Sequence, residues 1–481
     1  AAAESIVSGE GYAEIYNKDT SGVWASIQTV TGNPSAAEEN FGTSVAMSGN
    51  GPYAVFGVPG ADSNKGRVEV YQYNSTTQQY DFYGSMIDSE CDAGDKFGTS
   101  VATDLTGNIF AVGAPFHTTV GSDSTNTIGA VFVYANDNGK FVQIAKLLPT
   151  TKQVDLEFGT SIAMNTDATS IVVGAPGYNP TGAPETGRVY QYKQSITSFT
   201  ADGSTTQFTL SFAPTNEDQI GVFETAPDST TSWSTQGGSN ADSNIETADT
   251  IIASADQVSS GRSFSVDGST TNLTFSEAPK MNTVLQVYRY TQTQTIDSNN
   301  ANIYNRFGHQ VTMNAESNLL AISSKNASAF KRISFDKFKA DGSTVLNETT
   351  FDFNTTKFVD EELEAGTVRV YDKYGDFYSL DQQIESSQID AGDKFGQGVS
   401  VFKRGLFVGA PKDDTKAVNS GLIIEYNKGL ETTKGWEKIS EQVDLVDPNS
   451  IQQNYLYDVN NNKTVGFVAW IDPKCRIKIL S

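Results

Sequence analysis

The chain has 481 residues, with 33 Lys and Arg against 57 Asp and Glu, for a formal net charge of −24. That acid excess offers no positive field to a phosphate backbone, so a nucleic-acid binder is not expected. Hydrophobic residues make up 37% of the chain, enough for a packed core. No apolar run reaches the length of a membrane span, so membrane insertion is not expected.

The elements repeat. GYAEIYNK (11–18) and WASIQTV (24–30) read as two strands. A unit then opens at Phe41-Gly42 with FGTSVAM. It continues through YAVFGVPG from Tyr53 and GRVEVYQY from Gly66, and closes with YDFYGSMID (80–88). The second unit opens at Phe97-Gly98 and runs through IFAVGAP from Ile109, GAVFVY from Gly129 and FVQIAKLL (141–148). The third has Phe158-Gly159, SIVVGAP from Ser170 and GRVYQY from Gly187. The fourth is degenerate: Phe307-Gly308, NLLAISS from Asn318, GTVRVY from Gly366 and FYSLDQQIE (377–385). The fifth has Phe395-Gly396, LFVGAP from Leu406 and GLIIEY from Gly421.

Each run is short, rich in Val, Ile, Phe and Tyr, and bounded by Gly, Asn, Asp, Ser or Pro, which is the pattern of strands and turns. Four strands per unit fit an antiparallel propeller blade, whose faces must be covered by neighbouring blades. The Phe is expected to fill the gap between blades and the Gly to permit close backbone approach. The first two strands match the third and fourth of a unit. The segment 455–472 reads as a hairpin that could supply the missing pair, giving six blades, with seven as the alternative.

The pattern FG-x-S-V-A, V-G-A-P, G-x-V-x-V-Y resembles the FG-GAP repeat of integrin-α-type β-propellers and of many microbial, algal and phage surface proteins. The resemblance implies an all-β propeller of four-stranded blades. The expected organisation is blades over 10–193, an inserted β-sandwich-like module over 194–290, further blades over 291–445 with a second insertion at 325–365, and a C-terminal hairpin over 446–481. Within the module, FTADGSTTQFTLSFAP (199–214) and FSVDGSTTNLTFSEAP (264–279) are related passages, echoed at 338–353. Asp-Gly between alternating runs signals a hairpin. These passages resemble small modules of marine phage tail proteins. The segment 454–480 is similar to one in virion proteins of contractile-tailed phages, departing from it at Lys474-Cys475-Arg476.

The resemblance implies a structural or adhesion role, first as a virion component of a tail, baseplate or fibre. Its partners would be other virion proteins or a host receptor or glycan, and its location the phage particle. A microbial or algal cell-surface adhesion protein is the alternative, with an extracellular location. A polysaccharide-acting enzyme is weaker still, and the chain is expected not to be an enzyme.

The repeat-defining residues are Phe41, Gly42, Phe97, Gly98, Phe158, Gly159, Phe307, Gly308, Phe395 and Gly396. No catalytic or metal-binding residue is assigned and no cofactor is expected. The loops between first and second strands lack the closely spaced carboxylates that calcium needs, so Asp104 and Asp167 are read as turn caps. Asp95 and Asp393, with Glu39 and Asn305 at the same place, either ring one rim with acid or accept backbone N–H groups in a repeated turn. Leu156 breaks that series. Asp413-Asp414 and Asp360-Glu361-Glu362 are read as solvated. Trp24 and Trp436 hold equivalent fourth-strand positions and are expected to pack, while Trp233 is the one tryptophan offered as a contact residue. His117 is read as a surface loop residue, and Cys91 and Cys475 as unpaired thiols.

Overall fold

The computed structural model describes residues 11–18, 24–36, 38–49, 52–118, 127–137, 140–180, 185–214, 219–225, 250–252, 263–298, 305–326, 329–330, 361–362, 365–384, 392–413, 421–428 and 435–442, with short strand pairs at 2–3, 456–457 and 467–468. Trp233, Trp470, Cys475, Asp360 and Asp414 lie outside the described residues.

Six sheets follow one another. The first joins β1 (Ala2–Ala3), β2 (Tyr12–Lys18) and β3 (Trp24–Thr31). The second joins β4 (Val45–Met47), β5 (Tyr53–Val58), β6 (Arg67–Asn74) and β7 (Gln79–Met86), and the third β8 (Ser100–Thr103), β9 (Ile109–Ala114), β10 (Ala130–Asp137) and β11 (Lys140–Leu147). In the fourth, β12 (Ser161–Met164), β13 (Ser170–Ala175) and β14 (Arg188–Thr200) are followed by the module strands β15 (Gln207–Thr209), β16 (Ile220–Thr225), β17 (Thr250–Ile252), β18 (Phe264–Val266) and β19 (Asn272–Phe275). β20 (Val284–Asp297) then returns as the fourth strand. The fifth sheet is β21 (Phe307–Met313), β22 (Leu319–Ser324), β25 (Thr367–Tyr374) and β26 (Phe377–Ile384), with a side pair β23 (Ala329–Phe330) and β24 (Glu361–Glu362). The sixth is β27 (Gly398–Phe402), β28 (Gly405–Ala410), β29 (Leu422–Lys428) and β30 (Trp436–Gln442). β31 (Leu456–Tyr457) and β32 (Phe467–Val468) pair with each other in a sheet of their own.

Neighbours in every sheet are antiparallel, and the first strands β4, β8, β12, β21 and β27 touch in succession. The chain is all-β and its architecture is consistent with a β-propeller. The one helical element among the described residues, Ala61–Asn64, contains left-handed residues and is a local turn.

The core is divided by joints between sheets rather than by sheets. One apolar cluster holds Ile15 and Val30 of the first sheet with Phe56 and Tyr71 of the second. Another holds Val70 and Met86 with Val112 and Phe132. Comparable clusters seal the remaining three joints. Burying both faces of each sheet explains why the second strands read as nearly continuous apolar runs, as in IFAVGA, where every residue is buried.

The repeat motif closes these joints. In three repeats the Gly after Phe donates its N–H to the Gly of the following Gly-Ala-Pro: Gly98 to Gly113 and Gly159 to Gly174 at 3.0 and 3.1 Å, Gly396 to Gly409 at 2.9 Å. The equivalent pair in the first repeat is Gly42 and Gly57, at 2.9 Å. The carbonyl of Gly98 then approaches the preceding sheet so closely that a Cβ on Gly57 would lie 1.9 Å from it. Ser44 Oγ donates to that carbonyl at 2.8 Å, and Ser100 and Ser161 do the same at the next two joints. In the degenerate repeat, Ser323 replaces the strand-exit glycine, and its Oγ accepts the N–H of Gln310 at 3.1 Å. One change of residue is answered by another within the same unit.

The module is continuous with its blade. β14 and β20 pair from Arg188↔Asp297 to Thr200↔Val284, so residue 194 lies inside a strand. Beyond the blade the ribbon acquires β16 and a separate three-stranded sheet, β15-β19-β18. The module has its own core, including Phe208, Leu210, Leu273, Phe275 and Leu285. β16 also leans on the third sheet, where Phe223 and Tyr288 join Ile144 in the joint core.

Candidate functional site

The phenylalanines of the Phe-Gly pairs are buried in the joints between sheets. Phe41, Phe97, Phe158, Phe307 and Phe395 are each at most 1% exposed and each sits in a different joint cluster. Gly42, Gly98, Gly159, Gly308 and Gly396 all have left-handed backbone, with φ between 80° and 96°.

The position two residues before each Phe lies underneath its turn rather than on an exposed rim. Asp95, Leu156, Asn305 and Asp393 are buried, and Glu39 is half-buried. What each meets is different. Glu39 receives both terminal nitrogens of Arg67 at 2.9 Å, and Arg67 Nε also donates to Glu69 at 2.9 Å. Leu156 packs in the joint core. Asp95 accepts the N–H of Asp92 at 3.0 Å and faces His117.

That last contact corrects the reading of His117. It is 1% exposed, because the turn after the Gly-Ala-Pro strand folds its side chain back under the joint. His117 Nδ1 lies 2.8 Å from Asp95 Oδ2. Because that oxygen already accepts a backbone N–H, the imidazole Nδ1 faces it as the donor. His117 Nε2 is buried with no hydrogen-bond partner. Cys91 completes the group: it is a free thiol, fully buried, and one donor atom from each of Cys91, Asp95 and His117 lies within 4.8 Å of the other two.

The surroundings set the chemistry. The His117 ring meets Phe132 edge-on at 5.4 Å, and the Lys146 ammonium lies 5.2 Å over the other ring's centre while pairing with Glu90 at 2.5 Å. Asp88 accepts the Tyr134 hydroxyl and the Glu90 N–H. Burial pushes the Cys91 thiol far up, and the nearby Asp88 and Asp95 carboxylates push it the same way. A buried thiol beside two carboxylates is a poor nucleophile. The same set of donors suits a cation.

Other candidates resolve differently. Asp413 takes the place of His117 in the last unit and is buried, not solvated, because the turn after Ala410 folds it inward in the same way. Asp104 caps its turn by accepting the Ile109 N–H and the Thr106 hydroxyl, and Asp167 accepts the N–H of Thr169. Trp436 packs as expected, 5% exposed, with Nε1 donating to Asp381 at 3.1 Å. Trp24 is exposed, because aromatics at this position pack on the preceding sheet and no sheet precedes the first among the described residues. A cavity of about 230 Å³ opens between the third sheet and the module ribbon, lined by Lys146, Thr150, Gln219, Arg289 and Gln292.

Against known proteins, the FG-GAP repeat family matches residues 378–423, so the chain carries an FG-GAP repeat there. No curated protein matches it by sequence. Among solved structures, it is similar to a protein of Bacteroides uniformis assigned as a 6-phosphogluconolactonase, at 10% identity, covering 92% of this chain and 95% of the other, with a TM-score of 0.38. The periplasmic gluconolactonase PpgL of Pseudomonas aeruginosa is similar at 9% identity, with 96% and 97% covered and a TM-score of 0.37. Sqt1 of Saccharomyces cerevisiae is similar at 12% identity, with 95% and 87% covered and a TM-score of 0.37. The expectation that the chain is not an enzyme is thereby corrected, because proteins named for lactone hydrolysis are among its structural neighbours. Those names describe the neighbours; likeness at this level assigns this chain no activity.

Proposed function

We propose that the chain is a structural component of a tailed-phage virion, in which a six-bladed propeller holds the inserted module out as a contact surface. The observation that carries this reading is the β14–β20 ribbon. Its two strands stay paired from the fourth sheet outward past a single bulge, and the module it leads to is braced against the third sheet. A projection fixed in this way presents its surface at little entropic cost on binding. Ile196, Met281 and Val284 along it are exposed apolar residues. The related Asp-Gly-Ser-Thr passages lie on the same module, and its partners would be other virion proteins before a host receptor or glycan.

Closure into six blades is supported at the glycine that opens each third strand. Gly11, Gly66, Gly129, Gly187 and Gly366 each face the Phe backbone of the following repeat, and a Cβ there would lie between 2.0 and 2.3 Å from its carbonyl oxygen. Gly421, at the same place in the sixth sheet, has the same left-handed backbone, with φ 72°. In the proposed ring it would meet one more joint, with the first sheet. Mass spectrometry of purified virions tests the reading: peptides of this chain at a stoichiometry comparable with tail proteins support it. Their absence from virions, with recovery from the envelope of uninfected cells, would replace it with the cell-surface reading.

A further inference from the structure

We propose that Cys91, Asp95 and His117 form a zinc-binding site that ties the second sheet to the third. The three donors come from two segments, the connection between β7 and β8 and the turn after β9, and all are buried. Sulfur, imidazole nitrogen and carboxylate oxygen together suit Zn²⁺, whereas calcium takes oxygen ligands. Tetrahedral zinc with bonds of about 2.0–2.3 Å separates its donors by roughly 3.3–3.8 Å. Donors already within 4.8 Å of one another therefore need only a contraction of about an ångström.

The Asp95–His117 contact shows where the ion would sit: Asp95 Oδ2 and His117 Nδ1 already face each other at 2.8 Å, with the Cys91 thiol in the same buried cluster. Zinc would enter in place of that hydrogen bond, taking Nδ1 as its ligand while the ring proton moves to Nε2. On binding, the Cys91 S–H bond breaks, the thiolate electron pair forms the bond to zinc, and the proton passes to solvent, so affinity rises with pH. Asp92, Ala93 and Gly94, which join Cys91 to Asp95, are exposed. Three protein ligands leave one position for water.

The test uses the full chain, stripped with chelator under reducing conditions and titrated with Zn²⁺ or Co²⁺ alone. One equivalent should bind. The Co²⁺ form should show thiolate-to-metal charge-transfer absorption that persists in Cys475→Ala and disappears in Cys91→Ser. Asp95→Asn should weaken Zn²⁺ binding about 10–100-fold. If the wild-type chain binds no stoichiometric metal, or if the thiolate band survives in Cys91→Ser, the proposal is wrong. Should His117→Ala fail to fold, His117→Gln retains a polar side chain of similar size, and unchanged Zn²⁺ affinity in it would equally overturn the site.

Discussion

Gln294 and Tyr378 exchange two hydrogen bonds across the joint between the fourth and fifth sheets. The amide Nε2 donates to the Tyr378 carbonyl at 2.8 Å, and the Tyr378 N–H donates to Oε1 at 2.7 Å. Gln28 and Tyr80 make the same exchange between the first and second sheets, both bonds at 2.7 Å. Gln382 accepts the Trp436 N–H at 2.8 Å between the fifth and sixth. All three glutamines stand just after the bulge in a fourth strand. Each clamp satisfies backbone groups on an outer edge strand, which would otherwise offer itself to another chain.

Gln294→Ala is therefore expected to cost about 1–3 kcal/mol, the penalty for stranding partly buried donors and acceptors. Urea denaturation of the variant measures it. An unchanged midpoint would mean that water replaces the clamp without loss.

The close approach of neighbouring sheets makes a sharper prediction. A Cβ on Gly113 would lie 2.1 Å from the Gly159 carbonyl, whereas one on Gly84 would meet nothing within 4 Å. Gly113→Ala should lose about 1–3 kcal/mol or more through forced backbone movement. Gly84→Ala should be neutral or gain about 0.5–1 kcal/mol by restricting the unfolded chain. Thermal melts of the pair decide whether inter-sheet spacing or glycine content as such limits stability.

Stability should fall on the acid side because of His309. Burial, with Lys325, Arg306 and Lys394 nearby, lowers its pKa to about 3. The unfolded chain titrates near the ordinary value of about 6.5 and so binds more protons between those limits. The contribution is complete above about pH 6.5 and is lost progressively as pH falls towards 3. Glu69, Asp88 and Asp104, whose pKa values burial raises, act in the opposite sense, so the informative quantity is the difference from a His309→Gln variant. That variant should show a shallower decline of the urea midpoint between pH 7 and 4.

The module should unfold together with the blades. Phe223 lies 4.3 Å from Tyr288, centre to centre, and both belong to the core that includes Ile144 of the third sheet. Phe223→Ala should cost about 3–5 kcal/mol. A single denaturation transition shifted as a whole is expected; a second, separate transition would show that the module is energetically independent.

Much of this architecture was legible in the sequence because the repeat encodes backbone geometry. Phe-Gly and Gly-Ala-Pro are the two ends of one hydrogen-bonded contact, so their spacing reports sheet boundaries directly. The degenerate fourth unit stayed readable because Phe307-Gly308 persists where Gly-Ala-Pro does not. The site was not legible. Cys91, Asp95 and His117 belong to two segments that only the joint brings together, and a histidine in a Gly- and Thr-rich loop carries no periodic sign of burial. The glutamine clamps were equally hidden, since an isolated Gln in an edge strand looks solvent-facing. The module's edge escaped notice because strand alternation runs unchanged through residue 194.

The central claim, that the module is the surface through which this propeller joins a particle, is most directly tested by cross-linking mass spectrometry on intact purified virions. Lys280 is exposed beside Met281 on the module and offers a reactive amine there. The account predicts cross-links from Lys280 to a different virion polypeptide, with fewer from Lys403 on the loop between β27 and β28. Cross-links from Lys280 confined to this chain, in particles where Lys403 reaches a neighbour, would contradict it.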